Sequence, residues 1–84
     1  MNNLVQRRIA LTADWQPLSA VPLVASVDVS CPPMNVGVAW FQGDDGSEVP
    51  WIPGEWHQFL RVDLGAIRVR GTPGDAITVI GGTW

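Results

Sequence analysis

Short apolar segments alternate with turn signals along this chain, and residues 23–31 show the clearest alternation. The apolar side chains of Leu23, Ala25, Val27, Val29 and Cys31 share one face, and mostly polar side chains share the other. A period of two is typical of a strand with one buried face. The pair Pro32 and Pro33 ends the segment, and no stretch of ten residues has a helical period.

Two further segments predict where a core would form. Residues 36–41 are apolar on both faces, which indicates a strand in the centre of a sheet, with Trp40 in the core. Pro50 interrupts residues 48–52 and removes a ladder donor, so this segment is expected at an edge or a bend. Other strands are predicted at residues 8–11, 15–18, 56–62, 67–70 and 76–80. The expected fold is all-β, a small antiparallel β-sandwich or jelly-roll-like barrel of about seven to eight short strands.

A length of 84 residues predicts a single domain, expected here as a β-sandwich over residues 9–84. Residues 1–8, which precede most of the first predicted strand, are expected to form a flexible N-terminal arm. A domain this small buries a limited core and usually gains stability from disulfides, a metal or a partner. The chain has one cysteine, Cys31, and one histidine, His57, which is too few for an intrachain disulfide and few ligands for a metal. We therefore expect a homo-oligomer, with a trimer favoured, or docking on a larger surface.

Charge and hydropathy exclude several classes of partner. Five arginines, no lysine and eight acidic residues give a net charge of -3, which argues against binding nucleic acid through its phosphates. No apolar run is long enough to span a membrane, and residues 1–8 lack the apolar stretch of a secretory signal. A lone cysteine suits a reducing cytoplasm or a particle assembled there.

No motif for catalysis, a metal or a cofactor is present, so we expect a protein that is not an enzyme and needs no cofactor. No sequence motif identifies a serine or cysteine nucleophile that would act with His57. We therefore interpret His57 as a strand residue on a solvated or interface face. The acidic residues Asp44, Asp45 and Glu48 could hold calcium, but Gly46 beside them makes a plain hairpin turn the favoured interpretation.

Five tryptophans in 84 residues are the most unusual feature of the composition. Outside the core, they either fill space or act as platforms for sugar rings or anchors at a protein interface. Arg68 and Arg70 alternate with apolar residues and so project from one face, with Arg61 beside them across the sheet, either solvated or paired with carboxylates of a neighbouring subunit. The predicted interface residues are Arg7, Arg8, Trp51, Trp56, Arg68, Arg70 and Trp84.

The pattern of turns and strands in residues 41–51, 53–55, 61–64 and 70–84 resembles small virion proteins of tailed bacteriophages. The resemblance covers the C-terminal half to two-thirds of the chain. It implies a small β-sandwich in the virion, assembled in the cytoplasm of a bacterial host. It further implies a capsid decoration or cement protein, with the major capsid protein or other virion proteins as partners.

Two other readings remain open. The turn Pro53, Gly54 and Glu55, with the strand and Gly–Asp turn after it, looks like the skeleton of a cupin jelly roll. Metal cupins need several histidines and this chain has one, so the likeness would concern the fold and imply no metal site. The alternative functions are a carbohydrate- or receptor-binding module that uses Trp51 and Trp56 as a platform, and a head–tail connector or tail component.

Overall fold

The computed structural model describes residues 3–83, which form two antiparallel sheets of four strands each. A short 3-10 helix, Leu64–Ala66, lies between the sixth and seventh strands. The predicted all-β sandwich is confirmed. The strands are β1 (Asn3–Ala10), β2 (Gln16–Pro17), β3 (Val24–Ser30), β4 (Ala39–Gln42), β5 (Glu48–Trp51), β6 (Trp56–Asp63), β7 (Arg68–Arg70) and β8 (Ala76–Thr83).

The strand order has the topology of a jelly roll. Sheet A has the order β1-β8-β3-β6, and sheet B has the order β2-β7-β4-β5. The two halves of the chain therefore pair like the arms of one long hairpin, β1 with β8, β2 with β7, β3 with β6 and β4 with β5. The tip of that hairpin is the acidic turn between β4 and β5, where Gly46 has a φ of +79°, as the sequence predicted.

The core lies between the sheets, and valine is its most frequent residue. In β3 the predicted alternation is confirmed, since Ala25, Val27 and Val29 are buried while Asp28 is exposed. Sheet A approaches itself closely at Gly81 of β8, where an added Cβ would lie 2.0 Å from the Ser26 carbonyl oxygen. Strands β3 and β8 can therefore pack at this point only because residue 81 has no side chain.

Residues 3–8, predicted as a flexible arm, instead belong to β1, which pairs with β8 from Asn3 opposite Thr83 to Ala10 opposite Ala76. Val5 is buried and Ile9 packs against the core. Arg7 lies between Val5 and Ile9 on the inner face, opposite Val79. The prediction was wrong because this charged residue interrupts the alternation of apolar and polar residues that would indicate a strand. Residues 1 and 2 lie outside the described residues.

The expected positions of β4 and β5 are confirmed, but the predicted face of β4 is wrong. β4 lies between β7 and β5, and β5 with Pro50 forms the edge of sheet B. Phe41 is buried and faces sheet A, while Trp40 is only half-buried. Because both faces of this segment are apolar, its sequence pattern cannot tell which one turns inward.

Candidate binding surfaces

An open cleft of about 670 Å³ lies between the two sheets, on the side where β5 and β6 form the edges. The rings of Phe41 and Trp51 stack at 3.7 Å between centroids, and Phe59 lies 6.1 Å from Trp51. These aromatic rings line the cleft together with apolar side chains, and Gln42, Asp44, Gln58 and Asp63 add polar groups. A mostly apolar cleft of this size is suited to binding an apolar group.

His57 stands at this cleft and is held by Glu55. Its Nε2 lies 2.7 Å from one Glu55 carboxylate oxygen, and its ring meets Trp51 edge to face at 4.7 Å. The backbone N–H of Ile52 donates to the other Glu55 oxygen at 3.1 Å. The hydrogen bond with His57, and after it the Ile52 N–H, lowers the pKa of Glu55 from its ordinary value. The pair thus fixes the turn between β5 and β6.

The structure places the remaining candidate chemistry apart from His57. Cys31 is fully buried, where its Sγ accepts from the Asn35 amide at 3.3 Å. In the acidic turn, the Ser47 backbone N–H and hydroxyl lower the pKa of Asp45. Within residues 3–83, no group of three or more histidine, cysteine or acidic side chains could hold a metal ion. The turn closes on itself through hydrogen bonds to its own backbone.

The outer face of sheet B carries arginine and tryptophan side chains. Arg68 lies opposite Gln42 and Arg70 opposite Trp40, so both arginines project from this one face, as predicted. The Arg70 guanidinium lies 5.1 Å from the ring centroid of Trp15 and 5.8 Å from that of Trp40. It also donates to Glu48 at 2.7 Å. Arg70 is therefore engaged within its own chain.

Arg61 is not beside these arginines, because it belongs to β6 in the other sheet. It has a φ of +53°, and its backbone N–H donates to the Ser26 hydroxyl at 3.1 Å. The pairing of β3 with β6 shifts register at this place, so Arg61 sits in a β-bulge. The sequence prediction of a shared arginine face is wrong for this residue.

The other predicted interface residues have mixed outcomes. Trp51 is only 4% exposed, so its prediction as a surface anchor is wrong; it faces Phe41, and its neighbour Pro50 faces outward. Trp56 is 61% exposed, as an anchor requires. Arg7 donates to the Leu18 carbonyl at 3.2 Å, and Arg8 is exposed on β1. Trp84 lies outside the described residues.

Sequence reasoning missed an apolar surface at one end of the sandwich. Met34 is 86% and Val36 88% exposed in the loop between β3 and β4, and Ile52 is 62% exposed in the turn between β5 and β6. We call these three side chains the apolar end. The sequence does contain a signal for this surface. Its three apolar residues lie in turn regions that contain proline and glycine, where polar residues are usual.

Buried polar side chains fix the loop that carries Met34 and Val36. The two carboxylate oxygens of Asp75 accept the backbone N–H groups of Val36 and Gly37, each at 2.9 Å. The side-chain amide of Asn35 donates to the Ala76 carbonyl at 2.7 Å and accepts from the Ala76 N–H at 3.0 Å. Asn35 and Asp75 are 8% and 5% exposed. The exposed residues therefore stand on a rigid support.

Comparisons of the chain with protein-family models, with curated proteins and with solved structures found no match. Among residues 3–83, no helix is long and apolar enough to cross a membrane.

Proposed function

We propose that this protein is a structural protein of a bacteriophage particle, of the capsid decoration or cement type, and that it docks on its partner through the apolar end. The observation that carries the proposal is the exposure of Met34 and Val36 on a loop held by buried Asn35 and Asp75. Exposed apolar side chains on a rigid support are typical of a preformed protein interface, since little conformational entropy is lost when they bind.

The polar side chains support docking over catalysis. Within residues 3–83, every buried side-chain nitrogen and oxygen has a hydrogen-bond partner. His57 is engaged by Glu55, and the buried Asp75 holds a loop. These polar groups hold a turn and a loop in place, which is the arrangement expected of a scaffold.

The alternative of a sugar-binding platform has less support. Such a platform needs open aromatic faces, but Trp51 is buried and packs on Phe41. The Arg70 guanidinium covers one face each of the Trp15 and Trp40 rings. Among the tryptophans of residues 3–83, Trp56 alone is mostly exposed, and one ring gives a weak platform.

Docking would stabilise a shell by burying apolar area at many equivalent places. The apolar end offers on the order of a few hundred square ångströms of apolar surface, at about 25 cal/mol per Å² of area removed from water. Each contact is modest on this scale. Because a ligand that binds only the assembled state stabilises it by mass action, hundreds of copies add to the stability of a shell.

The test is electron cryo-microscopy of particles purified from the source that encodes this chain. The expected result is density of this size repeated across the capsid lattice, with the loop of residues 31–38 facing the shell. Density only at a vertex or the tail would favour the connector or tail role. Absence from every particle would overturn the proposal.

A binding assay on the same particles tests the docking surface. The double variant Met34→Ser with Val36→Ser is expected to lower occupancy about tenfold or more, because it removes two anchors of the interface. Val21→Ser is the matched control, since Val21 is 62% exposed in a loop at the opposite end. Equal occupancy of the double variant and the control would contradict docking through the apolar end.

A further inference from the structure

The four edge strands of the sandwich carry different protection against pairing with a strand of another molecule. β2 is two residues long, β5 contains Pro50, and β1 carries Arg7 and Arg8. Short length, proline and charge are usual devices that blunt an edge. β6 is eight residues long, and its residues 56–60 contain no proline, acidic residue or arginine. None of these three devices is therefore present in that part of β6.

The free side of residues 56–60 has the backbone orientation that strand pairing needs. The Glu55 carbonyl accepts the Cys31 N–H at 2.8 Å, so Glu55 and the residues at two-residue steps after it direct their backbone groups towards β3. Trp56, Gln58 and Leu60 direct theirs towards the free edge. Trp56 and Leu60 are also 61% and 68% exposed. Unpaired backbone groups beside exposed apolar side chains form a template on which another strand could pair.

A β-bulge interrupts β6 at the end of this segment. The register against β3 shifts between Ala25 and Val27, so that Leu60 and Arg61 together lie opposite the single residue Ser26. Both Leu60 and Arg61 are exposed, which breaks the alternation that a partner strand would have to match. A bulge also bends its strand and increases the local twist, and both changes protect an edge.

The bulge is held in place although its backbone conformation is unfavourable. Arg61 has a φ of +53°, and among residues 3–83 every other residue with a positive φ is a glycine. A residue with a side chain adopts this region at a cost in energy. The Ser26 hydroxyl, on a residue that is 8% exposed, accepts the Arg61 N–H at 3.1 Å. A buried polar group of β3 therefore stabilises the strained residue of β6.

We propose that the bulge at Leu60 and Arg61 keeps β6 from pairing with strands of other molecules, further copies of this chain included. The bulge limits the regular part of the free edge to residues 56–60, and Arg61 adds a charge at the end of that part. Association between copies would then use side-chain surfaces and leave sheet A with its four strands. The apolar end plays no part in this, so the inference holds or fails independently of docking on a particle.

A variant that lacks Leu60 tests the inference. The deletion removes the extra residue, and Arg61 would then lie opposite Ser26 with all other pairs of β3 and β6 unchanged. It also removes an exposed apolar side chain, so any gain in association comes from the regular backbone. We expect the amides of Trp56 and Gln58 to become protected from hydrogen exchange about tenfold or more as the protein concentration rises. In the wild-type chain they are expected to exchange freely at every concentration.

Two results of this experiment would overturn the proposal. One is protection of the Trp56 and Gln58 amides in the wild-type chain that rises with concentration. The other is a folded deletion variant, checked by circular dichroism, in which these amides stay unprotected. Deletion of Arg61 in place of Leu60 also makes the strand regular and repeats the test if the first variant does not fold. Failure of both variants to fold would mean that the extra residue serves the fold itself, which would also contradict the proposal.

Arg61→Gly separates the bulge from the charge, because it keeps the extra residue and removes the guanidinium. Glycine adopts a positive φ without strain, whereas in a regular strand it is unfavourable. Arg8→Gly on β1 is the matched control, and we expect Arg61→Gly to melt about 5 °C above it. The Trp56 and Gln58 amides are expected to stay unprotected in Arg61→Gly. Protection as strong as in the deletion variant would show that the charge, and not the bulge, protects the edge.

Discussion

Phe41 has a valine on either side of it in sheet B, and the two valines have different environments. Val69 of β7 and Val49 of β5 both lie opposite Phe41, so all three occupy the inner face of the sheet. Val69 is fully buried, whereas Val49 is 51% exposed and lines the open cleft. The sandwich thus has a packed side, where Val69 is enclosed between the sheets, and an open side at the cleft, where Val49 is partly in water.

The difference separates the part of the sandwich that stabilises the fold from the part that is free to bind. On the packed side, Val27, Ile77 and Val79 of sheet A are at most 2% exposed. On the open side, β5 and β6 hold apolar side chains partly in water, which contributes less to stability. We therefore expect substitutions on the packed side to change folding, and those on the open side to change binding.

The largest effect is expected for Gly81→Ala on the packed side. Its added Cβ would lie 2.0 Å from the Ser26 carbonyl oxygen and 2.7 Å from the Val27 Cα, and backbone atoms cannot move aside cheaply. We expect a loss of at least about 3 kcal/mol in the free energy of unfolding. Urea denaturation measures it.

Gly43→Ala is the control for this substitution, because no atom lies within 4 Å of a Cβ added at Gly43. The control is expected to stay within about 0.5 kcal/mol of the wild-type stability. Comparable stability of Gly81→Ala and Gly43→Ala would mean that β3 and β8 do not approach as closely as described.

The pair of valines beside Phe41 gives the next effect. Val69→Ala removes two buried methyl groups and is expected to cost about 2 kcal/mol, since it loses their burial and leaves a cavity. Val49→Ala removes half-exposed groups and is expected to cost about 0.5 kcal/mol. Thermal or urea unfolding of both variants measures the difference, and equal costs would contradict the division into a packed and an open side.

The strands on the packed side were largely predictable from the sequence, and those at the margins were not. The alternation of β3 is visible because one face meets the core and the other meets water. In β1 the inward position of Arg7 breaks the pattern, since its guanidinium reaches the Leu18 carbonyl. In β4 both Trp40 and Phe41 are apolar, so only the register with the neighbouring strands decides which one is buried.

The binding surfaces depend on contacts between distant residues, which a local pattern does not contain. Val36 is exposed because Asp75, 39 positions away in the chain, holds its backbone. Trp51 is buried because Pro50 occupies the outward position beside it at the edge of sheet B. The exposure of Trp56 agrees with its prediction as an interface residue, but its place on an edge strand becomes visible only from the strand order.

A substitution that fills the open side is expected to act in the opposite direction. Val49→Phe would extend a ring into the cleft of about 670 Å³ towards Phe41. It is expected to raise the free energy of unfolding by about 0.5 to 1 kcal/mol, because apolar area is buried without a clash. Val69→Phe, the matched change on the packed side, is expected to lower it by about 1 to 3 kcal/mol. A loss of similar size in both variants would argue against an open cleft.

The smallest effect concerns Glu55 at the open side. Its pKa is lowered by the hydrogen bond with His57 and then by the Ile52 N–H, so the unfolded chain binds this proton more readily than the folded chain. The contribution is therefore present above the unfolded-state pKa and is lost as pH falls through the folded-state pKa. We expect Glu55→Gln to lower stability slightly at neutral pH, with the difference from wild type vanishing in acid.

Asp44→Asn is the control, since the Asp44 carboxylate makes no hydrogen bond within residues 3–83 and carries no comparable contact. Urea unfolding from neutral to acidic pH measures both, and a difference that grows in acid would contradict the assigned role of Glu55.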